Sequence, residues 1–122
     1  MRGTVLLLED DVDVRDAVAG VLEDAGFRVA TAANGREGLQ VLAQDTSPCL
    51  IVLDLWMPIL SGREFLAQLQ AEPEKSSLPV VLMTASDSAP PSGVVECLRK
   101  PFGISQLVKT VEKHCLKVNR AA

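Results

Sequence analysis

Residues 4–11 read Thr-Val-Leu-Leu-Leu-Glu-Asp-Asp, a short apolar run that ends in three acidic side chains. The apolar residues are nearly continuous rather than alternating, which is typical of a strand covered on both faces. Four further runs of this kind follow along the chain: Phe27–Ala32, Cys49–Leu53, Pro79–Met83 and Val94–Leu98. We therefore predict five buried strands, the first of them Thr4–Leu8.

The stretches between these runs carry helical patterns. Apolar residues recur at three- and four-residue spacings over residues 13–26, where Gly26 stops the pattern. Asn34, with Glu37 three residues later, is a predicted helix N-cap. Two more stripes cover residues 61–72 and 104–115, so that strands and helices alternate along the chain.

This alternation predicts an α/β fold, a doubly wound five-stranded parallel sheet of the flavodoxin-like type, in one domain over residues 1–122. In such sheets, binding sites form at the carboxyl ends of the strands, where the strand order reverses. The residues just after each apolar run are therefore the candidates for function.

The fourth crossover is too short for a normal helix. Nine residues separate Thr84 from Val94, and they include two adjacent prolines and a glycine. A parallel crossover with its helix needs at least about 10–12 residues, and proline breaks helices. We predict at most one helical turn, which leaves one face of the sheet thinly covered. Residues 85–93 are then a homodimer surface, a docking site or simply a mobile segment, and the sequence leaves these alternatives open.

The composition excludes several classes of protein. Apolar residues make up 48% and charged residues 23% of the chain, which excludes disorder. A formal charge of −4 argues against a nucleic-acid surface, since phosphate contacts need clustered Lys and Arg. The apolar runs are too short to cross a membrane, and no secretory signal is expected.

The three cysteines, Cys49, Cys97 and Cys115, are widely spaced and contain no CxxC motif. We interpret them as typical of a reducing, cytoplasmic setting rather than of a disulfide framework or a zinc site. Cys97 and Cys115 are most simply small buried hydrophobic residues, with redox sensing as the less favoured alternative.

Polar side chains follow four of the five predicted strands: Glu9 and Asp10, Asp54, Thr84, and Lys100. All of them fall at the same edge of the predicted sheet, where three carboxylates without a cation would repel one another. A few carboxylates completed by water suit Mg²⁺ better than Ca²⁺. With the ammonium of Lys100 and the hydroxyl of Thr84, this set predicts a site for a phosphoryl group on or near a carboxylate.

These motifs resemble the receiver domain of two-component response regulators. The resemblance covers almost the whole chain and rests on four segments: Leu7–Asp11, Val52–Pro58, Leu82–Ala85 and Lys100–Phe102.

The resemblance implies that Asp54 accepts a phosphoryl group from a phosphohistidine. It further implies that Glu9, Asp10, Asp54 and the backbone carbonyl of Trp56 hold Mg²⁺. Lys100 would pair with Asp54, and Thr84 with the amides of Trp56 and Ala85 would bind the phosphoryl oxygens. The implied partners are a histidine kinase or a histidine phosphotransfer protein and a downstream protein target, with no nucleic acid and no membrane.

One position departs from the family pattern. The aromatic residue that relays phosphorylation in the family, three positions before the lysine, is here Cys97, which has no ring to move. We therefore do not expect the aromatic switch in this chain. The alternative function is a degenerate receiver that acts as a phosphorylation-independent interaction module.

Particular residues exclude two other classes of protein, a phosphatase and a flavodoxin. A haloacid-dehalogenase-type phosphatase needs a second Asp two residues after the nucleophile, where this chain has Trp56. A flavodoxin needs a Ser/Thr/Gly-rich loop after the first strand, where Glu9, Asp10 and Asp11 would repel a flavin phosphate. We hypothesise instead that Trp56 shields phosphorylated Asp54 from water.

Overall fold

A computed structural model describes residues 3–44, 48–85 and 89–121 of the chain, the last six of them by backbone only. Five strands and four helices occur in these ranges. They are β1 (Thr4–Leu8), α1 (Val12–Asp24), β2 (Arg28–Ala32), α2 (Gly35–Ala43), β3 (Leu50–Asp54), α3 (Gly62–Ala71), β4 (Val80–Thr84), β5 (Glu96–Arg99) and α4 (Ile104–Ala121).

The strands form one parallel sheet in the order β2-β1-β3-β4-β5. The chain moves outward from β1 to β2 and then returns past β1 to β3, so the order reverses between β1 and β3. This arrangement confirms the predicted doubly wound fold. The reversal point lies between the strand that ends before Glu9 and the strand that ends at Asp54.

Two apolar layers cover the sheet, one on each face. Helices α1 and α4 pack on one face through residues such as Leu22, Leu107 and Val111. Helices α2 and α3 pack on the other through residues such as Leu42 and Phe65. The central strands β1, β3 and β4 are buried on both faces, which explains their uninterrupted Val, Ile and Leu content. No helix in the described ranges is long and apolar enough to cross a membrane.

Side-chain caps mark the starts of α1, α2 and α3, and the one at Asn34 was predicted from the sequence. The side chain of Asn34 accepts a hydrogen bond from the Glu37 N–H at 2.9 Å, as expected of an N-cap. Ser61 and Glu64 form a reciprocal capping box at the start of α3. Asp11 caps α1 by accepting hydrogen bonds from the Asp13 and Val14 N–H groups, and its negative charge is favourable at a helix N-terminus.

The fourth crossover contains no helix in its described residues, 85 and 89–95, as predicted from its length; residues 86–88 lie outside the described part of the chain. The segment runs across the α3 side of the sheet, where the side chain of Gln70 donates a hydrogen bond to the Ser92 carbonyl at 3.1 Å. Val94 and Cys97 pack against the apolar layer on that side. A short loop thus takes the place of a helix.

The interpretation of the cysteines is wrong for two of the three. Cys49 and Cys115 form a disulfide with a Cα–Cα distance of 5.1 Å, although 66 residues separate them. Cys49 directly precedes β3, and Cys115 lies in α4, which packs across the same end of the sheet. Sequence spacing could not reveal this proximity because it arises from the packing of the last helix on a central strand. Cys97 is free and half-buried, in agreement with its predicted role as a small hydrophobic residue.

A strained residue lies in the loop after β3. Ile59 has a φ of 70°, in the left-handed region that a β-branched side chain rarely adopts. The Leu60 N–H donates to the Pro58 carbonyl at 2.8 Å, which closes a three-residue turn around Ile59. The side chain of Ile59 is 69% exposed, so packing recovers little of the strain.

Replacing Ile59 with Asn, which tolerates this conformation, is expected to stabilise the protein by about 1 kcal/mol. Urea unfolding measures the change, with Ile104→Asn as the control because Ile104 is also exposed (68%) but does not have a positive φ. An Ile59→Asn variant no more stable than the parent would show that the turn is not strained.

Candidate functional site

Two carboxylates meet at the point where the strand order reverses. Leu8 pairs with Leu53 in the sheet, so Glu9 and Asp54 lie side by side at the ends of β1 and β3. Both are buried, with relative exposures of 1% for Glu9 and 5% for Asp54, while Asp10 is exposed. One carboxylate oxygen from each of the three residues lies within 4.8 Å of the others. The structure therefore brings together all three acids that the sequence singled out.

Lys100 reaches this cluster from the loop after β5. Its Nζ atom lies 2.8 Å from Oε1 of Glu9, forming a hydrogen-bonded ion pair. The Lys100 N–H donates to the Thr84 carbonyl at 2.8 Å, which fixes the lysine backbone to the end of β4. The resemblance implied a pairing with Asp54, whereas the hydrogen bond is to the neighbouring carboxylate.

The two buried carboxyl groups have pKa values that move in opposite directions. Burial, followed by the adjacent Glu9, raises the pKa of Asp54 to about 7, against the smaller opposing effects of Lys100 and the Trp56 N–H. Burial also disfavours ionised Glu9, but hydrogen bonds from Lys100, Asp54 and the Asp11 N–H outweigh it and lower the Glu9 pKa. Of the two carboxyl groups, Glu9 therefore ionises more readily and Asp54 holds a proton more readily.

The remaining predicted site residues surround Asp54. Thr84 ends β4 beside it and is buried, with 2% exposure. The Trp56 N–H lies 3.4 Å from Oδ1 of Asp54, while the indole is 64% exposed. Ala85 follows Thr84 at the surface. Cys97 lies on β5, on the side of the sheet that α2 and α3 cover.

Sequence reasoning missed two contributors to the site. Arg15, in the first turns of α1, donates a hydrogen bond from Nη1 to the Glu9 carbonyl at 3.0 Å. Gly62 starts α3 directly against the backbone of Asp54 and Leu55, where a side chain would collide with main-chain atoms. The glycine could have been suspected from its place after Ser61, but nothing in the spacing of Arg15 distinguishes it from a surface residue.

The donor set fits a hard divalent cation. It consists only of carboxylate oxygens, two from buried residues and one from an exposed residue, which leaves a side open to water. Burial, followed by the adjacent Glu9, raises the pKa of Asp54 in spite of Lys100, so the ionised form of Asp54 is not fully stabilised by the lysine. An Mg²⁺ ion, as predicted from the sequence, would supply the missing positive charge.

Comparisons with known proteins agree with this geometry. The family model described as the response regulator receiver domain matches residues 5–112. The chain belongs to the family of response-regulator receiver domains.

Similar proteins include both short and longer chains. A 14.6 kDa uncharacterised protein of Leptolyngbya boryana is 33% identical over 118 residues, covering 92% of this chain and 89% of its own length. The transcriptional regulatory protein SphR of Synechococcus elongatus, named for alkaline phosphatase synthesis, is also 33% identical over 118 residues and covers 85% of this chain. The match spans 45% of SphR, so this chain corresponds to about half of that regulator.

Solved structures give the same result. The chemotaxis response regulator CheY4 of Vibrio cholerae superposes with a TM-score of 0.81 at 32% identity, over 91% of this chain and 97% of its own. A CheY-like receiver domain protein of Methanospirillum hungatei gives a TM-score of 0.87 at 25% identity, over 98% and 99% of the two chains.

Proposed function

We propose that Asp54 accepts a phosphoryl group from a phosphohistidine on a histidine kinase or a histidine phosphotransfer protein. The observation that carries this proposal is the convergence of Glu9, Asp10 and Asp54 within 4.8 Å at the reversal point of the sheet. The family consists of signalling domains, and one of the two relatives named above is a transcriptional regulatory protein. The protein then serves as a phosphoacceptor in a two-component pathway, and we assign it to the cytoplasm on that basis.

The transfer is a displacement at phosphorus. An Oδ atom of ionised Asp54 attacks, the bond between phosphorus and the imidazole nitrogen breaks, and the electron pair stays on that nitrogen. Little covalent chemistry is left to the protein, so positioning and charge stabilisation supply most of the rate.

Lys100 and the backbone at the pocket supply that stabilisation. The Lys100 ammonium, 2.8 Å from Glu9, lies close enough to Asp54 to lower its pKa and can interact with phosphoryl oxygens once they arrive. The Trp56 N–H already points at an Asp54 oxygen, and the Thr84 hydroxyl lies at the end of the adjacent strand. We assign all three to binding the phosphoryl oxygens, together with the Ala85 amide.

Mg²⁺ would be held by Glu9, Asp10, Asp54 and the Trp56 carbonyl. When bound, it offsets negative charge on the acceptor and on the transferring group. The family generally uses an acidic pocket of this kind, which supports the assignment.

An apolar groove beside Lys100 suits the phosphohistidine partner. It lies between α1 and the loop after β5, and Val14, Ala17, Val18 and Phe102 line it. Because Lys100 and Pro101 form its wall next to the acidic pocket, a helix that packs there would bring its histidine toward Asp54. The downstream protein target is then recognised after the partner leaves.

Incubation with acetyl phosphate and Mg²⁺, followed by intact mass measurement, tests the proposal. We expect a mass gain of one phosphoryl group with Mg²⁺, and no mass gain when EDTA is present from the start of the incubation. Asp24→Asn, at the exposed far end of α1, is a matched control that should be phosphorylated normally. A chain that gains no phosphoryl group from acetyl phosphate or from any candidate histidine donor would favour the phosphorylation-independent interaction module.

Mg²⁺ binding is expected to depend strongly on pH. The ion needs an ionised Asp54, whose pKa of about 7 means that a proton must leave first. Apparent affinity should therefore fall about tenfold for each pH unit below 7. Fluorescence of Trp56, the only tryptophan, reports the titration. An affinity that is constant between about pH 8 and pH 5.5 would contradict the assignment of Asp54 as a ligand.

Trp56 is expected to slow hydrolysis of the acyl phosphate. Its backbone adjoins Asp54, and its large indole stands at the solvent side of the pocket, so it would restrict the approach of water. Trp56→Asn should shorten the lifetime of phosphorylated Asp54 several-fold, whereas Trp56→Phe, which keeps a ring, should shorten it less. Decay followed by intact mass measures both lifetimes, and equal lifetimes in all three proteins would exclude the shielding role.

A further inference from the structure

The disulfide joins two elements of the core at the end of the sheet opposite the acidic pocket. Cys49 directly precedes β3, whose last residue is Asp54, so about 16 Å of extended strand separates the disulfide from the acceptor. Its other half, Cys115, lies on α4 after the buried residues Leu107 and Val111. The bond thus fixes the distal part of the last helix to a central strand.

The environment of the pair is compatible with both oxidation states. Cys115 is 1% and Cys49 is 6% exposed, and both lie within the apolar layer formed by α1, α4 and the sheet. Reduced cysteines behave as small hydrophobic residues, so two thiols carry little polar penalty in this apolar layer once their sulfur atoms move apart. The backbone of Cys49 is held independently of the bond, because its N–H donates to the Thr4 carbonyl at 2.8 Å.

A second set of contacts, independent of the disulfide, also holds α4 against the sheet. Glu96 on β5 accepts hydrogen bonds from Thr110 at 2.9 Å and from His114 at 3.2 Å, and Lys113 lies 3.5 Å away. These side chains hold the same turns of α4 against the edge strand. Reduction should therefore loosen the helix without unfolding the protein.

The third cysteine cannot compete for the pair. Cys97 belongs to the apolar layer on the α2 and α3 face, whereas Cys49 and Cys115 belong to the layer on the opposite face. Because the sheet lies between the two layers, thiol–disulfide exchange between Cys97 and the Cys49–Cys115 disulfide would require the protein to unfold. Oxidation of the native chain therefore has one intramolecular product.

We propose that Cys49 and Cys115 form a reversible redox clamp on the C-terminal helix, which responds to a signal distinct from phosphorylation of Asp54. A small-molecule disulfide such as oxidised glutathione is the oxidant. The thiolate of one cysteine attacks it and releases one thiol; the second cysteine then displaces the mixed disulfide and releases the other. Two electrons pass from the protein to the oxidant, and the protons of the two protein thiols end on the two released glutathione thiols.

The test compares one protein in two states rather than two variants. The full chain is equilibrated in glutathione buffers of increasing oxidised fraction, and free thiols are counted after denaturation. We expect a change from three to one, with peptide mapping that shows a Cys49–Cys115 link. The reduced protein should melt roughly 10 °C below the oxidised one, and hydrogen exchange in α4 should be faster, since the bond closes a long loop.

Two variants complete the design. Cys97→Ala should keep the full redox response, and Cys115→Ala should melt at the same temperature in both buffers. Phosphorylation from acetyl phosphate should proceed equally in both states, which separates this proposal from the function of Asp54. Three free thiols at every glutathione ratio, a link to Cys97, a reduced chain that does not fold, or unchanged melting and exchange would each overturn the clamp.

Discussion

Asp54→Asn is expected to make the metal-free protein more stable at about pH 8 by on the order of 2 kcal/mol, while it abolishes phosphoryl acceptance. The gain arises because Asp54 is buried and faces ionised Glu9, so its charge costs free energy in the folded state. An Asn amide has no charge to desolvate and can donate a hydrogen bond to Glu9, as protonated Asp54 does. Loss of acceptance follows because an amide is not a nucleophile for phosphorus.

The pH dependence of this effect has a definite sign. The folded-state pKa of Asp54, about 7, lies above its unfolded value of 3.8, so the folded state binds more protons between these limits. Stability contributed by Asp54 therefore falls as the pH rises from about 4 to about 7 and is constant above that. The advantage of the Asn variant should be absent near pH 4 and complete near pH 8.

Urea unfolding of the parent and Asp54→Asn proteins in EDTA, at both pH values, measures this difference. Saturating Mg²⁺ should remove or reverse the gain, because only the parent retains a carboxylate at position 54. Asp24→Asn is the control for the loss of one negative charge at the surface. A variant that is less stable than the parent at the higher pH would show that Asp54 is not destabilised by its surroundings.

Lys100→Ala is expected to destabilise the protein and to slow phosphorylation without abolishing it. It leaves Glu9, which is 1% exposed, as a buried carboxylate without its ion-pair partner, at a cost of about 2–3 kcal/mol. Lys100 itself is partly exposed, which keeps the estimate below that for a fully buried pair. The rate of phosphorylation by acetyl phosphate should fall on the order of 100-fold, because the variant lacks the ammonium that stabilises negative charge on the transferring phosphoryl group.

Lys109→Ala, on an exposed position of α4, is the matched control and should change neither quantity. Unfolding experiments near pH 8 and phosphorylation time courses by intact mass measure the two effects. A Lys100→Ala protein that is as stable as the parent and phosphorylated as fast would remove Lys100 from the site.

The sequence was sufficient to predict the parts of the fold that depend on local pattern. The three central strands are evident from their continuous apolar runs, and the cap at Asn34 from its own chemistry. The prediction that all five strands are buried is wrong for the edge strands β2 and β5, which are only partly buried because each has a neighbour on one side alone. The observed ends of the strands differ from the predicted ones by one or two residues. For example, β3 extends to Asp54 because that residue still pairs with Met83. The convergence of Glu9 and Asp54 followed from parallel topology, which places all strand ends at one edge.

Features that depend on tertiary packing could not be predicted in this way. Lys100 pairs with Glu9 rather than with Asp54, and the positions of these residues along the chain do not distinguish the two carboxylates as partners. The Cys49–Cys115 bond depends on how α4 crosses the sheet, which no spacing specifies. The left-handed conformation of Ile59 likewise follows from loop closure rather than from the preference of isoleucine.

Chemical mapping of the phosphorylated residue tests the central claim most directly. The chain is phosphorylated by acetyl phosphate with Mg²⁺, reduced with borohydride, which converts an aspartyl phosphate to homoserine, and digested for mass spectrometry. We predict conversion at Asp54 and at no other aspartate, with Glu9 and Asp10 unchanged. Conversion at another residue, or none at all under conditions that phosphorylate a known receiver domain, would contradict the account.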